Sequence, residues 1–262
     1  MAETDLPPPP SLNGLRALIV GGTSGIGLAS ARQLLAAGAA GVAIVGRDQG
    51  RGTRAVESLG APPGLSFIAG DAGTAEGAIA VVQAALAKLD AIDLLVCSTA
   101  PALLPDLFFR TSIEQVPAIL TQFTLPPMLM ASAILPHMRA RRSGIIVNIA
   151  SDAGKSATPG EAVIGAAMAA ITMFSRTLAM ETKRDGIRVN VLTPSLVAGT
   201  ETSDRILAGG FSQRLFEKAA SMASLGVAEA DDLAAMIVYL ASPAARRLTG
   251  QAISINGGIS AA

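Results

Sequence analysis

Seven short apolar runs, none long enough for more than one strand, recur along the chain with Ala-rich segments between them. They are RALIV (16–20), GVAIVG (41–46), LSFIAG (65–70), DLLVC (93–97), GIIVNI (144–149), GIRVNVL (186–192) and AISIN (252–256). Each is nearly continuous in apolar side chains, as a strand buried on both faces requires. The segments between them, such as 27–38 and 75–89, read as helices, and Gly38 closes the first as a left-handed C′ residue. This alternation predicts an α/β domain: a doubly wound parallel sheet of about seven strands with helices on both faces.

Composition supports that reading and excludes others. The chain has 262 residues, of which 50% are hydrophobic and 15% charged, enough to bury a sizeable core. Its formal net charge is zero, which argues against a nucleic-acid or anionic-membrane surface. Cys97 is the only cysteine and His137 the only histidine, so neither a disulfide framework nor a Cys/His zinc site is available, and no metal is expected. The start, MAETDLPPPP, has neither the basic nor the apolar region of a secretory signal. The apolar runs are broken by Gly, Pro or charge short of membrane-spanning length. The expectation is a cytoplasmic protein with a frayed arm at 1–11 and one domain over 12–262, without internal repeat or linker.

The first strand runs into Gly21-Gly22-Thr23-Ser24-Gly25-Ile26-Gly27 and then a helix. Gly21 permits the tight turn, Gly25 lets backbone approach a pyrophosphate, and Gly27 lets helix and strand pack closely. The helix N-terminus offers free N–H groups and a positive dipole end to phosphate. Gly21, Thr23, Ser24, Gly25, Ile26 and Gly27 are therefore candidate cofactor contacts, because the loop lies where dinucleotide binding needs it. At the end of the second strand an NAD site would place an acid against the ribose 2′-hydroxyl. Gly46 stands there, followed by Arg47, whose guanidinium suits a 2′-phosphate. NADP is expected over NAD, although Asp48 follows directly.

With these residues in place, the chain resembles the short-chain dehydrogenase/reductase family over nearly its whole length, which implies a single-domain Rossmann-like fold and NAD(P)-dependent redox chemistry. The loop is similar to the family's Thr-Gly-x-x-x-Gly-x-Gly pattern, with Val20 in the threonine's place. Asp71, followed by Ala72, matches the acid after the third strand that contacts adenine. IVNIAS (146–151) matches the strand that delivers the catalytic serine, at Ser151. IRVNVLTP (187–194) and LTGQAISINGG (248–258) match the sixth-strand region and the last strand.

The departures from the family fall together. Cys97-Ser98-Thr99-Ala100 replaces the Asn-Asn-Ala-Gly after the fourth strand, and the relay asparagine of the next helix aligns with Phe123. Pro126-Pro127 follow, where the family helix runs uninterrupted and proline's missing donor favours a break. The family's tyrosine and lysine are replaced by Ile164 and Met168, one helix turn apart. Neither has a proton to give. No tyrosine lies anywhere in 152–238, so no shift of register restores the pair.

Several groups remain. Ser151 can hydrogen-bond a substrate oxygen or cap the next turn, and Lys155 and Glu161 are either surrogate acids or surface charges. His137 reads as remote from chemistry, Tyr239 as packed on the C-terminal helix, and Cys97 as a small buried hydrophobe. Thr200 stands near the family's cofactor-contacting threonine. Gly199-Thr200-Glu201 is also similar to the branch that reduces 2,4-dienoyl thioesters, where the enolate oxygen needs only hydrogen bonds. Ile164, Met168, Met222 and Phe211 either face a small apolar substrate or belong to the core.

Three functions stay open: an NADP(H)-dependent oxidoreductase with an atypical site, acting on an activated C=C or similar acceptor; a catalytically silent partner subunit or dinucleotide-binding regulator; and a non-redox lyase or isomerase in the same pocket. The resemblance implies a homo-oligomer, tetramer or dimer, through helices at 112–138 and 158–180 and the C-terminal segment. A silent subunit would instead join an active homologue in a hetero-oligomer.

Overall fold

The computed structural model describes residues 11–261, so all of the expected N-terminal arm except Ser11 lies outside the described residues. The parallel strands are β1 (Arg16–Val20), β2 (Gly41–Gly46), β3 (Leu65–Ala69), β4 (Leu94–Cys97), β5 (Gly144–Ile149), β6 (Ile187–Pro194) and β9 (Ala252–Ile255). They form one seven-stranded sheet in the order β3-β2-β1-β4-β5-β6-β9. Chain direction across the sheet reverses between β1 and β4, which opens a crevice at the strand ends there. A separate pair, β7 (Val197–Ala198) and β8 (Ala228–Glu229), lies beyond the sheet.

Strand residues alternate between two cores, as a pleated strand covered on both faces must. From β1, Leu18 and Val20 face one core and Ala17 and Ile19 the other. The first core is closed by α3 (Ala75–Leu89), α4 (Gln115–Arg141) and α5 (Ala162–Thr182); the second by α1 (Gly25–Ala36), α2 (Gln49–Ser58) and α8 (Ala230–Ala241). Burying each such Leu or Ile side chain contributes about 1.5–3 kcal/mol. Helix α1 starts two residues before the sequence suggests and stops short of Gly38, whose φ of +93° is left-handed as expected.

The expected break at Pro126-Pro127 does not occur. Helix α4 runs 27 residues straight through both prolines. Its inner face buries Pro126, Pro127, Met130, Ile134 and Met138, and that packing outweighs the lost backbone bonds. Thr121 and Thr124 hydroxyls bond back to the carbonyls of Pro117 and Leu120, at 2.9 and 2.8 Å. Among the described residues two stretches, α4 and Ala162–Asp185, are long and apolar enough to cross a membrane, but both carry core side chains packed on the sheet.

Candidate active site

A cleft of about 620 Å³ lies over the carboxyl end of the sheet at the β1/β4 reversal. Its floor is the glycine loop. A Cβ at Gly21, where φ is +77°, would stand 2.3 Å from the Ser98 carbonyl oxygen, and one at Gly27 would stand 2.2 Å from that of Gly21. Both positions exclude any side chain by backbone contact. Ser24, the N-cap of α1, is extended and makes no side-chain cap, and the first turn holds no acid. The N–H groups of the first α1 turn thus remain without intrahelical acceptors and open on the cleft through Gly25 and Ile26. An uncapped helix terminus behind a glycine-rich loop fits a pyrophosphate.

At one end of the cleft, β2 delivers Gly46 and then exposed Arg47. Asp48, which obscured the cofactor preference in sequence, is the N-cap of α2: its Oδ1 accepts from the Arg51 amide at 2.7 Å. Arg51 is a second cationic lining residue that sequence reading missed. Its spacing of four from Arg47 was the available signal. Its guanidinium spans the cleft mouth to both carboxylate oxygens of Glu201, at 2.7 and 2.8 Å. Glu201 opens α6 (Glu201–Leu207), whose N-cap Thr200 exchanges bonds with Ser203 in a capping box. Asp71 lines the same end, its Oδ1 accepting from Gly73 N at 2.9 Å, with buried Ala72 beside it.

At the opposite end, β5 brings Ser151 to the cleft wall. Its Oγ accepts from Ala153 N at 3.2 Å, capping the following turn, and it still faces the cavity. Glu161, Ile164 and Met168 follow at helical spacing and all line the cleft, so one face of α5 looks into it. Ile164 and Phe123 pack with Met168, Ile171 and Ala150 in one apolar cluster. Phe123, Ile164 and Met168 thus share a single hydrophobic wall.

Other candidates move away from the cleft. Lys155 is neither a surrogate acid nor a surface charge: its Nζ lies 3.7 Å from Asp152 Oδ1 and donates to Ser254 Oγ, with the side chain 13% exposed. Phe211 packs on Gly160, where an added Cβ would meet its ring at 2.3 Å, and Met222 is exposed; neither lines the cleft. Leu196, Ile206 and Phe216 supply the apolar lid instead. His137 Nε2 accepts from Ile92 N at 3.2 Å, and Tyr239 lies half-exposed on α8, both outside the cleft. Burial pushes the Cys97 thiol up to about 12, so it is an inert core group.

This architecture, a switch-point cleft floored by a glycine loop and an uncapped helix, is that of the dinucleotide-binding α/β class. The family profile described as Enoyl-(Acyl carrier protein) reductase matches residues 20–260. The chain belongs to the short-chain dehydrogenase/reductase family of oxidoreductases. It is 31% identical over 251 residues to 2,3-dihydroxy-2,3-dihydro-p-cumate dehydrogenase of Pseudomonas putida, covering 94% of this chain and 95% of that one. It is also 31% identical to the 3-oxoacyl-(acyl-carrier-protein) reductase of Chlamydia pneumoniae, over 95% of this chain and 98% of that protein. Among solved structures, a 3-ketoacyl-(acyl-carrier-protein) reductase from Brucella melitensis complexed with NADH superposes with a TM-score of 0.85. That match is 27% identical and covers 96% of this chain and 100% of that one.

Proposed function

We propose that this chain is an NADP(H)-dependent oxidoreductase whose site works without the family's tyrosine–lysine pair, reducing a small apolar acceptor such as a C=C conjugated to a carbonyl. The observation that carries the reading is the uncapped α1 terminus opening beside Arg47, with no acid at the end of β2. Bound there, the cofactor would supply hydride. Gly21 and Gly25–Gly27 would hold its phosphates, Arg47 its 2′-phosphate, and Asp71 and Ala72 its adenine side. Ser151 would donate a hydrogen bond to the acceptor oxygen. The wall of Phe123, Ile164 and Met168 and the lid residues Leu196, Ile206 and Phe216 suit an apolar chain. The enoyl reductase named in the family description, and acyl reductases among the relatives, support an acyl thioester as its carrier.

Calorimetry on the purified protein tests this. NADPH is expected to bind more tightly than NADH, and Arg47→Ala to cost about 1.5–3 kcal/mol in NADPH affinity, the usual size for a hydrogen bond to a charged group. Failure to bind either cofactor sinks the oxidoreductase reading; equal affinities remove only the NADP preference.

A second reading, a silent subunit partnering an active family member, draws on the apolar cluster that occupies the relay positions. Both readings include assembly through α4, α5 and the C-terminal segment, where Met173 and Met180 on α5 are 61% and 60% exposed. Sedimentation is expected to find a dimer or tetramer. A stable monomer at micromolar concentration contradicts assembly, and co-purification with another family member favours the silent subunit.

A further inference from the structure

Glu161 is the carboxyl at the Ser151 end of the cleft, and its side chain has no partner among the described residues. It is the N-cap of α5 but makes no side-chain cap, and its carboxylate forms neither a hydrogen bond nor an ion pair among the described residues. It lies one helical turn before Ile164, on the face that lines the cleft, at a Cβ separation of about 5–6 Å typical of such pairs. Every other acid–base group is committed or remote. Lys155 and Asp152 are paired behind the wall, Arg51 and Glu201 pair across the mouth, and Asp48 caps α2. Arg47 and Asp71 stand at the other end of the cleft, and Arg205 on α6 turns back to Glu201 O and Thr202 Oγ1. Tyr239, His137 and Cys97 lie outside the reactive end.

Resting on the oxidoreductase reading, we propose that Glu161 is the catalytic proton donor of this site, replacing from one turn earlier the hydroxyl that Ile164 cannot offer. In the reductive direction a bound reduced nicotinamide would supply hydride, with its electron pair, to the acceptor carbon. The oxygen conjugated to that carbon takes the proton from the Glu161 carboxyl. The carboxylate left behind regains a proton from solvent at the open cleft mouth; an enol formed from a C=C acceptor exchanges its oxygen proton for one on carbon in water, so one hydride and one proton are consumed per turnover. Burial pushes the Glu161 carboxyl up to about 7, which leaves a large protonated fraction near neutrality.

The sign of the pH effects follows. In the folded chain Glu161 holds its proton through a range in which the unfolded chain has released it, from about 4.5 to about 7. Stability from this group is therefore full at low pH and is lost as pH rises to about 7. Glu161→Gln is expected to have a higher Tm than wild type at pH 8, with the difference shrinking toward pH 4.5.

The decisive experiment is a carbon NMR titration of protein labelled at glutamate carboxyls, with Glu161→Gln assigning the resonance. One carboxyl titrating near 7 is expected; titration in the ordinary carboxylate range overturns the proposal. In parallel, wild type and Glu161→Gln are given NADPH with trans-2-butenoyl and 3-oxobutanoyl thioesters of N-acetylcysteamine. Turnover is expected to fall above pH 7 in wild type, and to drop about 100- to 10,000-fold with loss of that limb in Glu161→Gln. Turnover with the limb intact in Glu161→Gln overturns it. Equal NADPH binding by both proteins separates this outcome from failure of the oxidoreductase reading, in which neither protein binds cofactor.

Discussion

Installing Ile164→Tyr and Met168→Lys together is expected to raise reduction of a simple ketone by NADPH about 100- to 10,000-fold, the usual worth of general acid catalysis. Wild type should reduce such a ketone very slowly. A simple ketone has no conjugated chain to set its oxygen beside the Glu161 carboxyl, and at Ile164 itself it meets only an apolar side chain. The side chain at 164 lines the cleft, so a tyrosine placed there can present its hydroxyl to the cavity. Tyrosine alone should gain less, because its pKa stays near ~10 without an ammonium beside it.

The lysine carries a cost that the same measurement exposes. Met168 is 4% exposed and packs with Ala167, Ile171 and Phe123. An ammonium in that cluster loses hydration without gaining a partner, so Met168→Lys alone should have the lowest Tm of the set. In the double variant Glu161→Gln should matter little, since the new hydroxyl takes over the proton. A double variant that binds NADPH yet stays inert would favour the silent-subunit reading. Rapid wild-type ketone turnover that survives both Ser151→Ala and Glu161→Ala would mean that the chemistry lies elsewhere.

The legible part of this molecule is the part written in short-range pattern. β1, β2 and β5 are nearly continuous apolar runs, interrupted only by Arg16 and Asn148, and their bounds coincide with those read from the sequence. The glycine loop is legible for a related reason: a Cβ at Gly21 or Gly27 would collide with backbone, so sequence and geometry carry the same constraint. What stayed hidden depends on distant partners. Helix α4 survives Pro126-Pro127 because its inner face is buried against the sheet, which no local rule reports. Arg51 faces Glu201 from 150 residues away. Glu161 could be named as a candidate from its position, but its lack of any partner emerges only once α5 is docked against the cleft.

Lys155 is the sharpest such case, and it leads to the largest stability effect expected here. Asp152→Ala should cost about 3–5 kcal/mol in urea unfolding, the range for removing one partner of a buried ion pair. Asp152 and Lys155 side chains are only 7% and 13% exposed. The Asp152 carboxylate accepts from Ser254 Oγ at 3.1 Å, Ser260 Oγ at 2.9 Å and Asn256 Nδ2, so it ties β9 and the C-terminal tail to the turn that carries Ser151. Removing it leaves a buried ammonium with Ser254 Oγ as its one remaining acceptor and takes an acceptor from three donors at once. Lys155→Met should cost less, because the carboxylate keeps its three neutral donors while the new side chain adds apolar volume. The two losses should not sum in the double variant, since each removes the same pair. NADPH affinity below the unfolding transition should change little, because the proposed phosphate contacts belong to the loop between β1 and α1 and not to this ion pair. An unchanged urea midpoint in Asp152→Ala would mean that the tail is not held through this carboxylate, and Ser151 would then owe its position to β5 alone.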